Sequence, residues 1–527
     1  MNPDDQSAVI AFLAAPETHG IRGSVEVIET HISKVFLAGD RAFKLKRAVK
    51  LPYADFSTPQ IRLATCRKEY ALNAPAAPGL YLGVRHITRG PGGGLEFDGQ
   101  GPLVDAVVEM VRFAQDALFD RMAAAGRLTP ALMDELAAGI AEFHDRAPVM
   151  PGGGFDNMSA VLDINAAGFA TSALFSPAQI AALDSACRDR LQRHAGELDR
   201  RAQAGCIRRC HGDLHLRNIC LFEGHPRLFD CIDFSDQIAT VDVLYDLAFL
   251  LMDLWYRDLG ALANRMANRY FDETGTDDGF GLLPFFMAVR AAVRAHVTAT
   301  FAQGAGERAA GENAKARRYY DLALSLLGDS PPRAVAIGGL SGSGKTTVAE
   351  ALAPALGAPP GARIVESDRT RKAMFGVKSD VSLPQEAYRT EVSDKVYARL
   401  GGRACELLGQ GASVVVDAVF DRRDRRAALR AALGGTGAPF AAFWLEADPD
   451  TLRQRVGGRR GGPSDAGLRV LEAQLARDPG EITWTRIAAG GPPGAVVARL
   501  RAALGDEMVA APGAGPILQG RISPEGN

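Results

Sequence analysis

The run AVAIGGLSGSGKTTVAEAL, residues 334–352, permits few folds. An apolar strand leads into a glycine-rich loop that fits G-x-x-x-x-G-K-[ST] from Gly339, and a helical pattern follows at once. A strand, loop and helix in that order belong to a parallel α/β sheet, with the loop's backbone N–H groups gathered at a helix N-terminus. Gly339, Gly342 and Gly344, with Ser341 and Ser343 between them, let those N–H groups converge on phosphate oxygens. Lys345 is expected to reach the β- and γ-phosphates, and Thr346 to hold Mg²⁺ through its hydroxyl. Thr347 adds a second hydroxyl at the helix start. The alternative, a glycine-rich turn with an exposed lysine, does not call for the flanking strand and helix.

Further strands alternate with helices downstream: ARIVESD, ASVVVDAVF and PFAAFWLEA. Asp368 and Arg371 stand at the carboxyl end of the first, where α/β sheets place ligands. Asp368 can orient or deprotonate an attacking hydroxyl, and Arg371 can hold an anionic group. The bland alternative is an N-capping aspartate with a solvated arginine. Asp417 follows apolar residues, as an acid near Mg²⁺ would, or as a strand-end turn residue would. Arg453, Arg455, Arg459 and Arg460 lie in a helix entering a glycine-rich loop, which reads either as a lid over the phosphates or as a solvated basic helix end. The run DRRDRR from Asp421 reads as a charged helix face.

At 527 residues the chain is too long for one ordinary domain. The clearest seam is LLGDSPPR, which places a boundary near Pro331. Three segments are expected: residues 1–330, 331–505, and a flexible Gly- and Pro-rich tail over 506–527. A net charge of −2 argues against broad attraction to nucleic acid. The acidic N-terminus does not read as a secretory signal, and no long uncharged apolar run suggests a membrane span. Seven scattered cysteines suit reduced thiols, so a cytoplasmic location is expected.

Before the seam, a small sheet-rich lobe is expected, with strands in ISKVFLAGDRAFKLKR, GLYLGVRHITRG and PLVDAVVEMVRF and a helix over TPQIRLATCRKEYALN. From about Asp116, helical periods dominate, apart from short strands around 207–233. In that stretch HGDLHLRN crowds His211, Asp213, His215 and Asn218 together. Polar groups so dense are costly near a core unless they bond one another or a ligand. Zinc held by Cys206, Cys210, His211 and His215 is one reading, and a polar loop without chemistry is another. Both leave Asp233, Lys44 and Glu69 without a role.

H-G-D-x-H-x-x-N resembles the catalytic loop of the aminoglycoside phosphotransferase-like branch of the protein-kinase fold, matching at His211, Gly212, Asp213, His215 and Asn218. The resemblance implies that Asp213 accepts the acceptor's proton and that Asn218 and Asp233 hold Mg²⁺. It also implies that a strand lysine pairs with Glu69 to orient ATP. Lys44 is preferred because Ala-x-Lys resembles the kinase strand, and Lys46 is the alternative. Asp246 is expected to brace the loop. The kinase G-x-G-x-x-G is missing, and the loop near Ser33 and Lys34 is expected to cover the phosphates instead. The second half resembles small P-loop kinases, its S-D-x-x-R stretch being similar to that of polynucleotide kinases and chloramphenicol phosphotransferases. Together the halves resemble a bifunctional fusion: an α+β bilobal kinase-like domain followed by an α/β P-loop domain with a parallel sheet. That implies an ATP- and Mg²⁺-dependent phosphotransferase acting on small-molecule hydroxyls. Two alternatives stand beside it: one half is a non-catalytic ATP-binding regulator, or the P-loop half phosphorylates nucleic-acid 5′ ends. The acidic segment YFDETGTDDGF, Tyr270–Phe280, reads as a pocket for a cationic acceptor or as an exposed loop.

Overall fold

Strand alternation decides how the N-terminal sheet buries its two faces. In the computed structural model, β1 (Glu26–Glu29), β2 (Ser33–Ala38), β3 (Arg41–Lys46), β4 (Tyr81–Arg89), β5 (Leu95–Phe97) and β6 (Leu103–Val111) form one antiparallel sheet in the order β1-β2-β3-β6-β4-β5. The description covers residues 5–30, 32–51, 54–378, 381–458 and 465–505. Phe36, Phe43, Leu45 and Val107 pack on one face with Val9 and Leu13 of helix Ser7–Ala14. Leu37, Ala42 and Val108 pack on the other with Cys66 of helix Pro59–Asn73. Lys44 and Lys46 share the face of Ala42, so alternation turns both lysines toward that helix. Thr58 caps the helix by accepting the Ile61 N–H, and Pro59 opens it. Arg62 of the helix meets Asp105 of β6 in a buried two-pronged pair, with both bonds at 2.8 Å.

Ser33 and Lys34 lie within β2 rather than in a loop, because they pair in register with Lys46 and Leu45 of β3. Lys34 is engaged by Glu29. The connection between β1 and β2 lies immediately before them.

Short strands β7 (Ile207–Arg209), β8 (Ile219–Phe222), β9 (His225–Leu228) and β10 (Thr240–Asp242) frame the HGDLHLRN segment; β8 pairs with β9 and β7 with β10. Residues 1–161 and 198–253 cluster into one compact unit, and residues 162–197 and 254–527 into a second.

The second unit contains helices Gly260–Thr274, Leu283–Ala302 and Ala309–Leu326 and a five-stranded parallel sheet. Its strands are β11 (Ala334–Gly338), β12 (Arg363–Glu366), β13 (Val414–Asp417), β14 (Phe440–Glu446) and β15 (Thr485–Ala488), in the order β12-β13-β11-β14-β15. β11, β12, β13 and β14 fall on the expected apolar runs. The segment Phe280–Ala302 is long and apolar enough to cross a membrane, but 67% of it is buried inside the protein. Residues 506–527, expected to form a flexible tail, lie outside the described residues.

Replacing Arg62 with Met is expected to leave the buried Asp105 without its two-pronged partner. Breaking a buried pair in this way costs about 3–5 kcal/mol, to be read as an earlier unfolding transition in calorimetry.

Candidate functional site

Glu69 is fully buried and lies between two ammonium groups. Lys44 Nζ donates to Glu69 Oε1 at 2.8 Å. Lys46 Nζ lies 2.6 Å from Oε2, as an ion pair off the line of a hydrogen bond. The choice between the lysines thus resolves as both. Each also reaches a second acid: Lys44 donates to Asp230, and Lys46 to Asp233. Burial alone would raise the Glu69 carboxyl, but the two ammonium groups outweigh it and hold the group down at about 2. Burial pushes Asp233 up to about 6 against the pull of Lys46. For Glu69 the folded value lies below the unfolded one. Its contribution to stability is therefore complete above about pH 4.5 and is lost as pH falls toward 2.

The catalytic-type loop hangs on Asp246, as expected. Its Oδ1 accepts the Gly212 N–H at 2.8 Å, and its Oδ2 accepts the His211 N–H at 3.2 Å. Asp253, two turns on, accepts the Leu216 N–H at 3.1 Å. Gly212 has φ 84°, and a Cβ there would come within 2.9 Å of Ile232. Asn218 Nδ2 donates to Asp213 Oδ2 and to the Asp213 carbonyl, both at 2.9 Å. Asp213 keeps 38% of its side chain exposed, so an acceptor can reach it. The Phe229 N–H donates to the Asn218 carbonyl, and the Ile232 N–H to the His211 carbonyl, which stitches the loop to the segment bearing Asp230 and Asp233. Asn73, one turn past Glu69, accepts the Cys231 N–H at 2.9 Å and ties that segment to the helix.

His211 Nε2 bonds the Phe229 carbonyl at 3.0 Å, and burial lowers its pKa against the pull of Asp246. His215 sits edge-on to Phe249. Among the described residues the close His/Cys/acid cluster is His144, Cys210 and Asp246, not the zinc set read from the sequence. The seven cysteines, all within the described residues, form no disulfide.

In the second unit, Gly339–Gly344 curl over the start of helix Lys345–Leu352. Gly342 has φ 85°, and a Cβ there would meet the Leu452 carbonyl at 2.8 Å, so the loop requires glycine. Thr346 Oγ1 donates to Asp417 Oδ2 at 2.7 Å. Lys345 Nζ donates to the Leu340 carbonyl at 3.2 Å. Burial raises Asp417 to about 6. Burial, and then Asp417, raise the neighbouring Glu366 to about 8. A cavity of ≈ 590 Å³ brings Ser341, Gly342, Gly344, Lys345, Thr346 and Thr347 together with Asp368, Arg371 and Asp417. Gly339 and Ser343 stand behind that wall, with the Ser343 hydroxyl buried and without a partner. This set of groups, a glycine-rich loop, a lysine, a hydroxyl and two acids, fits a phosphate chain with a divalent cation.

Sequence reasoning placed Arg371 in this site and missed other cavity residues. Arg371 is buried over the Tyr388 ring, its Nη1 donating to the Ala387 carbonyl at 2.6 Å and its Nε finding no partner. Asp421 and Arg425 of the DRRDRR run line the cavity instead of forming a plain solvent face, because Arg425 stacks over Tyr397. Arg426 of the same run is buried and donates to the carbonyls of Phe420, Pro479 and Glu481. Arg477 joins Asp421 from the far wall. Arg453 is held by Glu472 and Asp450, and Arg455 by the carbonyls of 489–491, and neither lines the cavity. Arg459 and Arg460 lie outside the described residues. Within the acidic segment Tyr270–Phe280, Asp272 and Asp277 are engaged by Arg363, Arg369 and Arg403, while Glu273, Thr274, Gly275 and Thr276 are exposed.

Residues 102–280 match the phosphotransferase enzyme family, and residues 335–478 match an AAA domain. The uncharacterized protein Rv2004c of Mycobacterium tuberculosis is 30% identical over 479 residues, covering 89% of this chain and 93% of that protein. Mb2027c of Mycobacterium bovis matches to the same extent. Among solved structures, a choline/ethanolamine kinase family protein from Mesorhizobium loti is 16% identical, covering 61% of this chain and 98% of its own, with a TM-score of 0.36. A gluconokinase from Sinorhizobium meliloti is 27% identical, covering 33% and 95%, with a TM-score of 0.23.

Asp246→Ala is expected to orphan the N–H groups of His211 and Gly212, at roughly 1–3 kcal/mol for each buried donor. Hydrogen exchange should show those two amides losing protection well before the sheet does.

Proposed function

Because this chain belongs to the family of the mycobacterial proteins it matches, and joins a kinase-like phosphotransferase domain to a P-loop AAA-type domain, we propose that it is an ATP-dependent phosphotransferase with two nucleotide sites, each acting on hydroxyls of small molecules. The observation that carries this reading is duplication: two separate clusters each combine a lysine, an acid suited to a metal, and an acid open to an acceptor. One is Lys44, Asp233 and Asp213; the other is Lys345, Asp417 and Asp368.

In the first site Lys44, steadied by Glu69, orients the α- and β-phosphates. Asp213, held by Asn218, accepts the proton of the acceptor hydroxyl as its oxygen bonds to the γ-phosphorus and the bond to the leaving ADP oxygen breaks. Asn218 and Asp233 are the residues that would hold magnesium, which offsets phosphate charge when bound. In the second site Gly339–Thr346 cradle the phosphates, Lys345 reaches their β/γ end, and Thr346 and Asp417 would hold magnesium. Asp368 receives the proton there, and the unpartnered Nε of Arg371 suits an anionic group on the acceptor. Positioning and charge stabilisation supply the catalysis. The engaged acids of Tyr270–Phe280 give a cationic acceptor no support in this reading.

The test is transfer of labelled γ-phosphate from Mg-ATP to a metabolite extract and to 5′-hydroxyl oligonucleotides, by wild type, Asp213→Ala and Lys345→Ala. Two products, each lost in a different variant, are expected. A single product lost only in Lys345→Ala makes the first half a regulator, and labelled oligonucleotide makes the second an end-processing kinase. Both transfers should also weaken as pH falls through about 6, where Asp233 and Asp417 take up protons and lose the charge a cation needs.

A further inference from the structure

Strand β12 is the edge of the parallel sheet, and its outer backbone groups would otherwise stand unpaired. They are taken up by helix Gly260–Thr274. Asn268 Oδ1 accepts the Ile364 N–H at 2.7 Å, and Asn264 and Asn268 donate to the Ala362 carbonyl at 3.0 and 3.2 Å. The helix and the sheet belong to the same compact unit.

The same helix grips the phosphate-loop site at two further points. Arg269 and Arg265 donate to Glu350 at 2.7 and 3.1 Å, and Glu350 lies one turn beyond Thr346 on the helix that starts at Lys345. Asp272 accepts from Arg363 at 2.7 Å and lies 3.5 Å from Arg369, which in turn lies 3.1 Å from Glu366 at the end of β12. A water-sized cavity of ≈ 20 Å³ is lined by Arg269 and Asp272 on one side and by Thr346, Glu350 and Glu366 on the other. Thr346 and Asp368 sit on different elements, and this helix touches both of those elements from outside.

We propose that helix Gly260–Thr274, although it falls within the residues that match the phosphotransferase family, is a positioning element of the P-loop site. Arg269 and Asp272 act through Glu350 and Arg369 to fix the spacing between Thr346 and the start of helix Ser367–Met374, which carries Asp368. The inference rests on the reading of that site as a nucleotide site. It makes the P-loop half dependent on residues N-terminal to the Pro331 seam.

The test uses the full chain and the part of fluorescent ATP-analogue binding that is lost in Lys345→Ala, measured with Mg²⁺ and with EDTA. Arg269→Gln and Glu350→Gln are each expected to weaken Mg²⁺-dependent binding about five- to tenfold, while binding in EDTA changes less than twofold. The double variant should be no worse than the more affected single one, since both remove the same link. Arg269→Lys, which keeps the cation and is less disruptive to folding, should recover most of the loss. Unchanged Mg²⁺-dependent affinity in both single variants, or fully additive losses, would overturn the proposal while leaving the nucleotide reading in place. Absence of any Lys345-dependent binding in the wild type would overturn both.

Discussion

Two ammonium groups and one buried carboxylate hold the N-terminal site together. Glu69 has no access to water, and removing it from water is tolerable only because Lys44 and Lys46 both face it. That requirement reaches outward. It needs β3 to present two lysines on one face, helix Pro59–Asn73 to lie across that face, and the Arg62–Asp105 pair to set the helix against β6. Asn73 then extends the same helix to the segment of Asp230 and Asp233, and backbone bonds carry the connection on to Asp213. The geometry of the acid nearest an acceptor is thus anchored in the charge balance around Glu69.

The P-loop site meets the same constraint differently. Its buried acids, Asp417 and Glu366, have no lysine sandwich, and burial raises them into the neutral range. Thr346 offers Asp417 a hydroxyl rather than a charge. Glu366 has a single Arg369 at 3.1 Å, whereas in the first site Glu69 faces both lysines and Asp233 shares the ammonium of Lys46.

Much of this was legible in the sequence, and the reasons for the rest are local. Buried parallel strands read as apolar runs, so four of the five were visible; β15 was not, because in Thr485–Ala488 only Ile487 is buried. The spacing of Lys44 and Lys46 shows that they share a face. That both reach Glu69 depends on where a helix crosses the sheet, which spacing does not contain. Asp230 was passed over because its place beside Lys44 follows from a left-handed turn, with φ 63°. Asp421 and Arg425 looked like a solvent face because their partners Tyr397 and Arg477 lie elsewhere in the chain. The engagement of Asp272 and Asp277 was hidden for the same reason, since Arg363 and Arg403 lie far along the sequence.

The division into units has a consequence for synthesis on the ribosome. The first unit is finished once residue 253 has emerged, but residues 162–197, made before its last segment, belong to the second. The helices within 162–197 emerge before the residues 254–527 with which they cluster. Domains generally fold as units in the order they are made. Here the order of translation and the order of packing diverge, so the nascent chain carries a segment still short of the residues it clusters with through the completion of its first unit, at the stage when chaperones have most to hold.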